Sequence, residues 1–147
     1  MSLEENMAII HRLMEAFNMH NTALLDELVA PDFVEHTLKL QGRESIKQIE
    51  TMFYTGFPDF HGTIEDIVAE GDKVWIRVTY RGTHTGKYLG LAPTGKKITF
   101  TAVQIYRIVA GKVVERVSVS DSLNFLKQLD VIEPTEKGKK LFPEDVR

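Results

Sequence analysis

The chain contains no cysteine. That excludes disulfides, thiolate metal sites and cysteine nucleophiles, and it suits a reducing cytoplasm, which is the expected location. No apolar run approaches the roughly 20 residues that a membrane span needs, so no membrane partner is expected. The segment Met1 to Glu5 is acidic and has no cationic start followed by an apolar stretch, so no secretory leader is expected. Neither sign of charge dominates: 18 Lys and Arg stand against 21 Asp and Glu, a formal charge of −3. A nucleic-acid partner would need a basic face, and the longest basic cluster, Lys137, Lys139 and Lys140, reads as solvated surface. The five histidines, His11, His20, His36, His61 and His84, show no HxH or HExxH spacing. No metal is therefore expected. There is no glycine-rich phosphate loop after a strand and no GxSxG elbow.

What remains is 147 residues, 43% hydrophobic and 27% charged, which fits one domain over residues 1–147 with a charged tail from about residue 133. A chain of this length buries roughly 68% of the surface its unfolded form exposes, enough for a core without covalent staples. Met7, Ile10, Met14 and Phe17 recur at three- and four-residue steps and predict an amphipathic helix ending near Asn21. Asn21 or Thr22 can cap a shorter helix carrying Leu24, Leu25 and Leu28, which must stop before Pro31. Asp32 to Leu40 reads as an extended link. Gly42 opens a third helix with the stripe Ile46, Ile49 and Phe53, ended by Gly56 and Pro58.

From His61 the period changes to two, and Thr63 to Ala69, Lys73 to Arg81, Lys97 to Val109 and Lys112 to Ser120 read as strands. Gly82 to Gly95 is too long for a tight turn and is expected to wrap a rim. Asp121 or Ser122 can cap a last helix with Leu123, Leu126 and Leu129, and of the tail only Leu141 and Phe142 have the apolar bulk to dock. Three helices followed by an antiparallel meander predict an α+β domain in which a curved sheet lays one face against the helices. A three-residue loop, Val109-Ala110-Gly111, with Ile108 facing Lys112, puts Ala102, Gln104 and Tyr106 on one face with Val114, Arg116, Ser118 and Ser120. That mixed face suits a small-molecule site. The opposite face, with Val103, Ile105, Val117 and Val119, suits a dimer contact.

The run Phe57-Pro58-Asp59-Phe60, the blocks Gly82-Thr83-His84-Thr85-Gly86 and Gly90-Leu91-Ala92-Pro93-Thr94-Gly95-Lys96, Tyr106-Arg107 before Gly111-Lys112, and Lys127-Gln128-Leu129 after Asp121 resemble the SnoaL-like polyketide cyclases. The resemblance runs from about Met7 to Leu129. It implies the nuclear transport factor 2-like superfamily, with a cone-shaped α+β barrel, a deep pocket and usually a homodimer. It also implies intramolecular aldol closure of an aromatic polyketide ester without metal or cofactor, in which a pocket aspartate moves a proton and a histidine orients the substrate. Carried over, the aspartate position falls on Ser118 and the histidine position on Gln104. Neither can shuttle a proton near neutral pH, so the resemblance leaves that role to another residue.

Asp121 and His36 are the candidates for it, with helix capping the alternative for Asp121 and a structural hydrogen bond the alternative for His36. Arg116 either binds an anionic ligand or pairs with an internal acid such as Glu65 or Asp66. Gln104, Ser118, Tyr106, Trp75, Phe53 and Phe57 are candidate ligand contacts, the aromatics being core residues otherwise. His84 contacts ligand or fixes the rim loop. The function expected is a cyclase, or a related lyase or isomerase, acting on a small hydrophobic carbonyl compound. The alternative is a non-catalytic binding homodimer that has lost the base.

Overall fold

Ser2 starts the first helix by accepting a hydrogen bond from the Glu5 backbone N–H at 3.1 Å, and Glu4 and Glu5 suit the positive helix end. The computed structural model describes residues 1–142, so the part of the charged tail at 143–147 lies outside the described residues. Helix α1 (Leu3–Asn18) buries Ile9, Ile10, Leu13, Met14 and Ala16, and Asn21 caps α2 (Thr22–Leu28) through Leu24 N–H at 3.1 Å. Helix α3 (Glu44–Gly56) and α4 (Ser122–Gln128) complete the helical side, together with a 3-10 turn at Lys139–Leu141.

Among the described residues six strands form one sheet: β1 (Val29–Glu35), β2 (Leu40–Gln41), β3 (His61–Glu70), β4 (Lys73–Thr83), β5 (Lys97–Val109) and β6 (Lys112–Ser120). Their order is β2-β1-β6-β5-β4-β3, antiparallel except that β1 runs parallel to β6. Register shifts in β3–β4 and β5–β6 bend the sheet, and its inner face closes over α1 and α3. This is the expected α+β architecture.

Two expectations need correction. The start of the supposed extended link is strand β1, which enters straight from α2 at Val29. The β1–β6 register breaks between Val29 and Val34, so Pro31, which has no N–H to give, sits inside the irregularity while its carbonyl accepts from Arg43 N–H. The last hairpin has a two-residue turn, not three: Val109 faces Lys112, and Ala110 and Gly111 both have positive φ, at 49° and 78°. A bulge where Arg107 faces Glu115 but Ile108 faces Val113 then absorbs one residue at Val114. The two one-residue changes add up to a two-residue shift in register, which preserves side-chain parity. Ala102, Gln104 and Tyr106 therefore pair with Ser120, Ser118 and Arg116 on the buried face.

Candidate active site

Between the inner sheet face, α1, α3 and α4 lies a cavity of about 450 Å³, within the usual range for a small-molecule site. One part of its wall is aromatic. Phe53 stacks on Phe60 at 4.6 Å between ring centres, Phe60 stacks on Tyr80 at 5.0 Å, and Phe100 packs on Phe125 at 4.9 Å. Tyr88 of the loop after β4 completes the rim. That loop rests on the end of α3 through Gly86 N–H to Gly56 O at 3.0 Å. The approach is so close that a Cβ at Gly86 would lie 1.9 Å from the Thr55 carbonyl oxygen.

The other part of the wall is polar and wired. Arg116 Nη1 donates to Glu35 Oε2 at 2.6 Å, and Thr37 N–H donates to Glu35 Oε1 at 2.9 Å. Arg116 Nε donates to the Tyr106 hydroxyl at 3.3 Å, Tyr106 donates to Gln104 Oε1 at 2.8 Å, and Gln104 Nε2 donates to the Tyr80 hydroxyl at 2.8 Å. Glu35 is fully buried and the Arg116 side chain is only 12% exposed. Burial disfavours the Arg116 charge, but Tyr106, Tyr80 and Glu35 outweigh that and hold the guanidinium firmly protonated. Burial pushes Tyr80 up to about 12 and Tyr106 also above the usual phenol value, so both are hydroxyls near neutral pH. Behind Tyr80, Tyr106 and Arg116 a second space of about 30 Å³ is closed by Ile10, Leu13, Met14 and Leu25.

The expected site residues divide. Gln104, Arg116, Ser118 and Phe53 line the main cavity, and Tyr106 lines the small one behind it. Phe57 is fully buried outside both, packed on the His84 ring at 5.2 Å. His84 is also fully buried; Thr94 Oγ1 lies 2.9 Å from its Nδ1 and Thr94 N–H donates to the same atom, so it pins the rim loop. Asp121 is exposed and caps α4 through Asn124 N–H at 3.2 Å. His36 lies outside the cavity lining, with its Nε2 3.9 Å from Glu115. Trp75 is 46% exposed on the outer sheet face. Arg116 does pair with an internal acid, but with Glu35 and not with Glu65 or Asp66: Asp66 binds Arg77 on the outer face at 2.6 Å, and Glu65 is exposed.

Glu35 and Tyr80 are among the lining residues that the sequence reading missed. Both signals were present, since Glu35 alternates with the buried Phe33, and Tyr80 alternates with Val74, Ile76 and Val78. No group of three or more His, Asp or Glu side chains suited to a metal occurs among the described residues.

Fold and cavity together define a nuclear transport factor 2-like α+β domain whose curved sheet and helices enclose the cavity. The profile of the SnoaL-like polyketide cyclases matches residues 8–129, and the chain belongs to that family. It is 27% identical over 137 residues to the aklanonic acid methyl ester cyclase DnrD of Streptomyces peucetius, covering 88% of this chain and 94% of that one. Among solved structures it resembles wild-type IdmH of Streptomyces antibioticus, provisionally a polyketide cyclase. That match has 34% identity and a TM-score of 0.75 over 86% of this chain and 99% of that one. It also resembles AclR of Streptomyces galilaeus, provisionally a hydroxylase, with 27% identity and a TM-score of 0.81 over 90% and 100% of the two chains.

Proposed function

We propose that the chain binds a flat, carbonyl-bearing, polyketide-like compound in the main cavity and promotes its intramolecular aldol closure without metal or cofactor. The observation that carries this is the split wall, aromatic on one part and lined by Gln104, Arg116 and Tyr80 on the other. Rings stack on the first part, and carbonyl oxygens face donors on the second. The names of curated relatives supply the substrate class. In the closure, a C–H beside two carbonyls gives up its proton, the carbanion adds to a ketone carbon, and the new alkoxide is protonated, so substrate and product have equal mass.

A second reading, a binding protein without turnover, is favoured by one observation. Glu35 is the single carboxylate among the described residues lining the cavity, and both its oxygens are already engaged, by Arg116 and Thr37. Incubation with aklanonic acid methyl ester, followed by chromatography against authentic cyclised product, tests the choice. An isomer formed faster than in buffer supports the cyclase. Tight retention of unchanged ester supports the binder, and the absence of both turnover and retention sinks both readings.

In the same reading the protein works as a homodimer through the outer sheet face. Val68, Trp75, Ile105 and Val117 are successive cross-strand partners there, flanked by the Arg77–Asp66 and Arg107–Asp72 ion pairs. Sedimentation of the wild type and of Trp75→Glu checks this: a dimer that becomes a monomer is expected, and a wild-type monomer refutes it.

A further inference from the structure

The direction of each hydrogen bond in the wired wall can be worked out from chemistry. Arginine has donors only. Arg116 therefore donates to Tyr106, which leaves the Tyr106 proton for Gln104 Oε1 and turns the Gln104 amide so that Nε2 donates to Tyr80. The Tyr80 hydroxyl is left as an acceptor within the network. Arg116 also bears on this hydroxyl and favours its ionised form. Among the described residues no protein group accepts the Tyr80 proton, and Tyr80 lines the main cavity. A chain of donors that starts at a buried cation thus ends in one unspent O–H at the ligand space. Such chains polarise their members in sequence, so the last hydroxyl is a stronger donor than an isolated phenol.

We propose that Tyr80 is the cavity's oxyanion donor: its hydroxyl hydrogen-bonds a ligand carbonyl oxygen, and binds an enolate or phenolate oxygen more strongly than the neutral form. This rests on the reading that the cavity binds a carbonyl compound, and it assigns the reactive oxygen to Tyr80 whether or not turnover follows. Burial supports it, because a hydroxyl pushed up to about 12 keeps its proton and donates at every working pH.

The test uses 2-hydroxyanthraquinone, a flat ketone whose phenolate form absorbs in the visible. Wild type should bind the phenolate in preference to the phenol and so lower the dye's apparent pKa. Tyr80→Phe should weaken phenolate binding about 10-fold, consistent with loss of one hydrogen bond to a charged group, while changing binding of the neutral phenol little. Gln104→Glu keeps Tyr80 but replaces the amide donor with an acceptor, so Tyr80 should turn its proton to residue 104 and the phenolate preference should again be lost. Circular dichroism confirms that each variant is folded. Equal phenolate binding by wild type and Tyr80→Phe overturns the proposal alone, as it would if the hydroxyl turned into the small inner space. No binding of either dye form by wild type overturns the pocket reading along with it.

Discussion

Glu35 and Arg116 are Cα partners across the parallel β1–β6 pair, and their side chains meet on the buried face at 2.6 Å. A short strand that crosses from the helical half of the chain thereby neutralises the one cation that the described residues place in the cavity wall. Charges in such a pair are costly to bury, and costlier still when one is left alone. Glu35→Gln keeps the shape and strands the Arg116 charge, so it should lower stability by about 3 kcal/mol. Urea unfolding at neutral pH checks this, and a loss under about 1 kcal/mol would mean that solvent already screens the pair.

All four tyrosines, Tyr54, Tyr80, Tyr88 and Tyr106, are pushed above the ordinary value of 10.0, in each case chiefly by burial. Between 10 and the folded-state values the unfolded chain releases protons that the native chain keeps. Their contribution is therefore intact below pH 10 and is lost as pH rises through the folded values. Absorbance of phenolate near 295 nm should stay low past pH 10 and then rise together with loss of helical circular dichroism. Tyrosine ionisation that runs to completion at pH 10 with the fold intact would contradict it.

The last hairpin shows how far pattern alone reaches. Alternation along β5 and β6 placed Gln104, Ser118 and Arg116 together on the inner face, because side-chain parity survives any even shift in register. The turn itself was misread, since Ala-Gly is a poor sequence for a two-residue turn with positive φ at both positions. Here Ala110 tolerates a left-handed conformation that costs an L-residue about 1–2 kcal/mol. Ala110→Asn should recover about 0.5–1 kcal/mol of that, since asparagine accepts this geometry more readily. Thermal unfolding checks it, and dye binding should be unchanged.

Strand β1 was hidden for a different reason. Pro31 and Asp32 argue against a strand locally, and it takes pairing with β6, more than 80 residues away in sequence, together with the short β2, to make one. Missing β1 meant missing that Glu35 points inward like Phe33. It also left Arg116 to be matched with acids of β3. The aromatic wall was only partly legible, because Phe60, Phe100 and Phe125 look like any core residues until a cavity of about 450 Å³ opens beside them.

Gly86 fixes the rim. A methyl group there would overlap the Thr55 carbonyl, and backbone cannot give way as a flexible side chain can. Gly86→Ala should therefore lift the loop that carries Tyr88 and leave the sheet intact. Limited proteolysis should cut the variant between residues 84 and 96 sooner than wild type, and ligand affinity should fall several-fold. A variant as resistant as wild type would show that the loop has room to adjust.

Asp121 separates capping from proton transfer because asparagine can do the first and not the second. In the structure its Oδ1 accepts from Asn124 N–H at the start of α4, and the residue is absent from the cavity lining. Helix α4 contributes Phe125 to the aromatic wall, so the cap supports the site at a distance. Asp121→Ala should cost about 1 kcal/mol through loss of the cap. Asp121→Asn should keep stability, because asparagine caps about as well as aspartate, and it should keep ligand binding and any cyclisation. If Asp121→Asn stays fully stable but loses turnover, the carboxylate must reach the substrate in the bound state, and the proton acceptor that Glu35 is poorly placed to supply is found there.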